Sequence, residues 1–284
     1  MSSQARNEAT ATPFYPIREV ARLTGVTSVT LRAWERRYGL VQPQRTPKGH
    51  RLYSAEDIDQ IQRILQWLEK GVPVSQVGDL IQSPALVLSP DQVEPGWNER
   101  LEALKVAIAE WDEAKLDHWF TQVLADFPGW MLVEKALLPL LQEKNLTPAS
   151  GAWLSRYVRT RAGMRLYHRA RQSGLQRLVL LNACHQKPAW SMQLALLSLS
   201  DLPFVVHWLD DPCAPKETQA LLDGLNPHRL ILVTDHPEPA LPKNTAQIPA
   251  AVYAPLLKQG LGRSWPVLDR LDASALQTLG LTHR

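Results

Sequence analysis

The chain has 284 residues, 31 Lys and Arg against 28 Asp and Glu, a net charge of +3 and 45% hydrophobic residues, a length that suits two or three domains. Two cysteines, Cys184 and Cys213, are too few for a disulfide framework, and no nearby Cys or His spacing makes a structural zinc site. The first dozen residues are polar and Ala/Thr-rich without a signal-peptide core, and no later apolar run reaches membrane-spanning length, so a soluble cytoplasmic protein is expected.

In chain order, Ile17, Val20, Ala21 and Leu23 give one apolar helical face, broken by Gly25. Thr27 or Ser28 can cap a second helix by accepting a bond from an orphan amide. There Leu31, Trp34 and Tyr38 share the buried side, leaving Arg32, Arg36 and Arg37 free, and Gly39 suits the left-handed stop. Between Gly39 and Ser54, Pro43, Pro47 and Gly49 punctuate a basic stretch with Arg45, Lys48, His50 and Arg51, the composition of a β-hairpin wing. Ser54 and Asp57 have capping-box spacing ahead of a third helix with Ile58, Ile61, Ile64, Leu65 and Leu68 on its apolar face, ending at Gly71. Ser75, Val77, Leu80 and Ile81 suggest one more short helix.

Six Lys/Arg face Glu35 alone between Ser28 and Arg51, and residues 1–82 carry the whole net charge of the chain. A basic patch confined to one module is the electrostatic footprint of phosphate contact.

Beyond Val87–Asn98, where Pro90, Pro95 and Gly96 read as a linker, the pattern is helical to about Arg171. Leu101, Leu104, Ile108 and Trp111, then Trp119, Val123 and Leu124, then Leu137, Leu138 and Leu141 predict a small bundle. From Leu175 the pattern changes. Apolar runs at Leu178–Leu181, Phe204–Leu209 and Leu230–Val233 alternate with helical segments at Trp190–Leu199 and Lys216–Leu225, which argues for a parallel sheet covered on both faces. Ligands of such sheets bind outside the carboxyl ends of the strands. Asp210 and Asp211 lie there, and His207 and His236 read as structural groups on or beside strands. Arg156, Arg159, Arg161, Arg165, Arg169 and Arg171, with Tyr157 and Tyr167 interleaved, form a basic run open to three readings: an anion site, a second DNA contact or a solvated helix face.

The segment TLRAWERRYGL, with PQR and GHRLY after it, resembles the MerR-type regulators, most closely the branch of MlrA-like and CarH-like proteins. The resemblance implies a winged helix-turn-helix whose second helix enters the major groove while the hairpin wing tracks the backbone. The DNA-contacting set it implies is Ser28, Thr30, Arg32, Arg36, Arg37, Tyr38, Arg45, Lys48, His50, Arg51 and Tyr53, with Trp34 kept in the core. A guanidinium can donate two bonds to guanine, worth about 1–3 kcal/mol of discrimination per base. One module buries little surface, so a homodimer or higher oligomer on a pseudo-palindromic double-stranded site is expected.

The expected fold class is therefore multidomain, α and α/β. A disordered tail (1–13) precedes an N-terminal winged helix-turn-helix (14–84), a linker (85–98), a central helical bundle (99–174) and a C-terminal Rossmann-like parallel α/β domain (175–284). Bundle followed by α/β domain is also the order in cobalamin-binding regulators of the CarH type. Their D-x-H-x-x-G motif places His185 as the cobalt ligand, but here Ala183 and Pro188 stand at the aspartate and glycine positions, so the orienting partner is absent. The bundle residues that cover the corrin in light-sensing relatives have no counterpart in LLQEKNLTPASGAWLSRYVRT, where Trp153 is nearby but out of pattern. The leading expectation is a cytoplasmic, nucleoid-associated transcription regulator without a bound cofactor or metal, signalled through its C-terminal domains by a protein partner or a small ligand. The alternative is a cobalamin-dependent light or vitamin sensor using His185. An enzyme is not expected, because no phosphate loop, nucleophile elbow or acid/base pair is present.

Overall fold

The computed structural model describes residues 14–82, 96–143, 146–170, 175–184, 189–236, 248, 250–257, 267–268, 270–272 and 275–276. The expected tail at 1–13 and His185 lie outside the described residues.

Local chemistry fixes the first elements. Helix α1 (Ile17–Thr24) stops at Gly25, which adopts φ 73°, a left-handed conformation that glycine takes without Cβ cost. Of the two cap candidates for α2 (Ser28–Ala33), Thr27 is used: its hydroxyl oxygen accepts from the Thr30 N–H at 3.1 Å. The helix then widens into a π-helical turn, Trp34–Tyr38, ended by Gly39 at φ 62°. The apolar spacing gave no sign of that widening, yet Leu31 and Trp34 are buried as expected and Tyr38 is half-buried. Strands β1 (Tyr15–Pro16), β2 (Gln44–Arg45) and β3 (Arg51–Tyr53) form an antiparallel sheet in the order β1-β3-β2. The β2–β3 turn closes through the Thr46 N–H to the His50 carbonyl at 2.9 Å. Helix α3 (Ala55–Glu69) opens on the full capping box, Asp57 N–H to Ser54 Oγ at 3.2 Å and Ser54 N–H to Asp57 Oδ2 at 2.9 Å. It buries Ile58, Ile61, Ile64 and Leu68 in one cluster with Val20 and Leu31, and α4 (Val74–Gln82) follows.

Helices α5 (Trp97–Ala109), α6 (Glu113–Asp126), α7 (Gly129–Leu132), α8 (Leu138–Gln142) and α9 (Pro148–Ala170) come next, with a π-helical turn, Val133–Leu137, joining α7 to α8. Residues 85–95 of the expected linker lie outside the described residues, but Trp97 and Asn98 do not belong to a linker: they open α5. The cause is the indole of Trp97, which is buried, meets Phe127 at 4.6 Å between ring centroids and donates Nε1–H to the Leu68 carbonyl at 3.4 Å. Trp111, expected on the apolar face, is instead 51% exposed in the α5–α6 turn at φ 55° and rests on Trp153.

The remaining strands are β4 (Gln176–Asn182), β5 (Phe204–Trp208), β6 (Arg229–Val233), β7 (Ala250–Tyr253) and β8 (Val267–Leu268). They pair in parallel in the order β5-β4-β6-β7-β8. Alternation along β4 and β6 divides the core, as a period of two requires. Leu178, Leu180, Ile231 and Val233 face α10 (Trp190–Leu199), whereas Val179, Leu181, Leu230 and Leu232 join Leu222 of α11 (Pro215–Leu225). Ser191 to Leu199 are all buried, because α10 is packed by the sheet on one side and by α7 and α9 on the other.

Candidate nucleic-acid interface

The exposed side of α2 and its π-helical extension carries Arg32, Arg36 and Arg37. Among the described residues none of the three makes a hydrogen bond or ion pair, so three guanidiniums stand together in solvent. Glu35, between them in sequence, points the other way, toward the hairpin. Its Oε1 accepts from Arg45 Nη2 at 2.8 Å and its Oε2 accepts from Arg51 Nε. Burial disfavours the Glu35 charge, but the hydrogen bonds from Arg51 and Arg45 outweigh it and hold the carboxyl below the usual carboxylate range. One carboxylate thus ties both strands of the hairpin to the arginine-bearing helix.

The candidate residues fall into four groups. Arg32, Arg36 and Arg37 are exposed, as are Lys48 and His50 in the hairpin turn. Ser28 and Thr30 sit partly exposed in the first turn of α2, where the Thr30 hydroxyl lies 2.9 Å from that of Thr27; Tyr38 is half-buried against the core. Arg45 and Arg51 share Glu35, with Arg45 half exposed and Arg51 only 18% exposed at the side chain. Tyr53 requires correction. It is fully buried, because β3 alternates its faces and Tyr53 points inward, paired with Tyr15 of β1. Burial, reinforced by the charge on Glu35, pushes its hydroxyl up to about 12. Glu35 was counted in the sequence only as an offset to the arginines. Its being the sole acid of that stretch was the available signal.

Across the exposed arginines lies a cleft of about 540 Å³. One wall is Thr30, Arg32, Ala33, Arg36 and Arg37, and the other is the α6–α7 corner, Leu124 to Pro128, with Arg165 and Asp201 behind it.

The second candidate region is the carboxyl edge of the parallel sheet. Asn182 donates its side-chain N–H to the Asp210 carbonyl and accepts from the Cys184 N–H at 2.9 Å. Asp210 pairs with Arg159 of α9, and a Cβ on Gly163 would stand 3.8 Å from the Trp208 ring. The described part of this edge is therefore filled by contacts between strand ends and α9. Burial raises the Cys184 thiol to about 12, which leaves it a packed neutral group. In the basic run on α9, Arg156 meets Glu113, Arg159 meets Asp210, Arg161 meets Asp117 and Arg165 meets Asp201, so these four form a partly solvated, ion-paired face and not an open anion site; the Arg169 side chain and Arg171 lie outside the described residues. Burial first, then the charge of Arg177, lowers the His207 imidazole, and the His236 N–H donates to Thr234 Oγ1 at 3.0 Å. Among the described residues, no cluster of three or more His, Cys, Asp or Glu could hold a metal ion, and no helix is long and apolar enough to cross a membrane.

Residues 15–84 match the family model of the MerR HTH family regulatory proteins. The chain is 39% identical over 126 residues to the HTH-type transcriptional regulator MlrA of Escherichia coli strain K12, covering 44% of this chain and 50% of the relative. It is 29% identical over 162 residues to the HTH-type transcriptional repressor CarH of Myxococcus xanthus, covering 52% and 54% respectively. To the repressor CarA of the same organism it is 35% identical over 138 residues, covering 46% and 44%. The chain spans about half the length of the curated relatives it matches.

Proposed function

We propose, from the premise that residues 15–84 are a MerR-type helix-turn-helix domain of the MlrA/CarH-like branch, that the chain is a sequence-specific transcription regulator which binds promoter DNA as a homo-oligomer. The observation that carries this reading is the set of three solvated arginines on α2 and its π-helical extension, beside a basic hairpin. Arginine's planar fork reads guanine in the major groove, while Lys48 and His50, at the hairpin tip, suit the flanking phosphates. In this reading the β2–β3 hairpin is the wing, and Glu35 sets its angle to the reading helix. The chain then divides as 14–84 for DNA, a bundle from about 97, and a Rossmann-like α/β domain from 175 that receives a signal from a protein partner or a small ligand. The relatives are transcriptional regulators, and no enzymatic role is proposed.

The residues present do not fit a corrin. Ala183 offers no carboxylate to orient an imidazole at position 185, and Trp208 and the Arg159–Asp210 pair fill the described edge against α9, where the resemblance would seat the macrocycle. A cofactor-free receiver is the reading these contacts favour.

Selection from a pool of random duplexes with the purified full chain tests the proposal. Enrichment of a pseudo-palindromic site, with Arg32→Ala relaxing the preferred sequence, is the expected result. A flat pool, or equal losses by Arg32→Ala on selected and random DNA, would overturn it.

A further inference from the structure

We propose that the α6–α7 corner is an internal docking surface for the DNA-reading helix, so that the structure is the closed, DNA-excluding state of the chain; the inference rests on reading α2 as the groove-entering helix. A helix in the major groove has phosphate walls on both sides, about 12 Å apart. Here the space in front of Arg32 and Arg36 is a cleft of about 540 Å³ whose far wall is the protein's own Leu124–Pro128. Such a space admits water and small molecules but not a duplex. A second cleft of about 310 Å³ brings Gly25 and Glu69 opposite Trp130 and Ala275, and Pro128 lines both clefts. The helix-turn-helix therefore straddles the corner rather than standing clear of it.

The corner is held from behind by the α/β layer. Asp201, just beyond α10, accepts from the Gly129 N–H at 2.5 Å and pairs with Arg165 of α9. The approach there is tight, since a Cβ on Gly129 would stand 2.4 Å from the Leu197 carbonyl oxygen. The masking surface is thus fixed to the part of the chain read as the receiver. A signal that favours separation would raise apparent DNA affinity in proportion to the open fraction.

Two cysteine pairs in the full chain test this, both in a Cys213→Ser background because Cys213 is exposed and Cys184 is buried. Ala33→Cys with Ala125→Cys spans the first cleft, and Glu69→Cys with Ala275→Cys spans the second without touching the reading helix. Each is treated either with a short bismaleimide or with a monofunctional maleimide, and binding to a random-sequence duplex is measured by fluorescence anisotropy. Closure predicts intramolecular crosslinking of both pairs and at least about a tenfold loss of affinity on crosslinking relative to the same variant capped, with the capped Glu69→Cys/Ala275→Cys protein, whose caps lie off the reading helix, binding as the unmodified chain does. Failure of both pairs to crosslink, or crosslinked protein that binds as well as capped protein, would overturn it. If crosslinks form but the capped and unmodified proteins also ignore DNA, the DNA-binding reading itself falls, and this inference with it.

Discussion

The chain carries two dense groups of arginines, one on α2 and its π-helical turn and one on α9, and they meet opposite fates. Arg32, Arg36 and Arg37 make no hydrogen bond or ion pair among the described residues, although Asp126 and Asp201 line the far side of the cleft before them, whereas Arg156, Arg159, Arg161 and Arg165 each reach a carboxylate elsewhere in the fold. Charge density alone therefore does not identify a phosphate-binding surface. What does is cation without counter-charge, since only an unpaired guanidinium can replace the counterions of a nucleic acid without first breaking a bond of its own.

The sharpest way to break that comparison is to exchange the two groups in one assay. Arg32→Ala is expected to cost about 1–3 kcal/mol of base discrimination, while Arg159→Ala leaves DNA affinity unchanged in anisotropy titrations. Equal losses by both would erase the distinction. Gly129→Ala is expected to lower stability by about 1–3 kcal/mol, because the new methyl overpacks the α7–α10 contact; urea melts read this directly, and an unchanged midpoint would show that the two helices can part at no cost.

Glu35→Gln tests the hairpin tie. Simple charge counting says that removing an acid from a phosphate-facing surface strengthens binding, whereas loss of the tie to Arg45 and Arg51 lets the hairpin drift and weakens it. Weaker binding at neutral pH is expected. Because the folded Glu35 carboxyl is depressed, the tie is present above the ordinary carboxylate range and is lost as pH falls through the depressed folded value. A stability titration against pH should show that acid limb in the native chain and a smaller one in Glu35→Gln. Lys48→Ala, at the hairpin tip, is a smaller change: a uniform loss across sequences with the salt slope reduced by about one. Smallest is Arg156→Ala, whose exposed pair with Glu113 contributes less than about 1 kcal/mol, visible only as a minor shift in thermal melting.

Features set by neighbours along the chain were legible in the sequence. The α2 cap, narrowed to Thr27 or Ser28, the glycine stops at 25 and 39, the Ser54–Asp57 box and the strand–helix alternation from Gln176 to Val233 depend on residues within a few positions of each other. Interactions across long separations were not. The Arg156–Glu113 contact joins residues 43 apart and the Arg51–Glu35 contact joins residues 16 apart, so only the folded chain shows that these charges are spent on each other. Tyr53 was misplaced for the same reason: its motif position suggested the surface, but the pairing of β3 with β1 decided which way it points. Strands β7 and β8 went unread because four and two residues carry too little alternation to separate from a loop.

The burial of α10 on every side bears on how the chain melts. A helix with no solvent face has no layer of its own: it packs on α7 and α9 and also against β6 of the sheet. Neither layer can unfold without stripping apolar cover from the other, so bundle and sheet should form a single cooperative unit with one calorimetric transition. A truncation after Ala170 would yield not a free-standing bundle but helices with an uncovered apolar flank, prone to associate with copies of themselves.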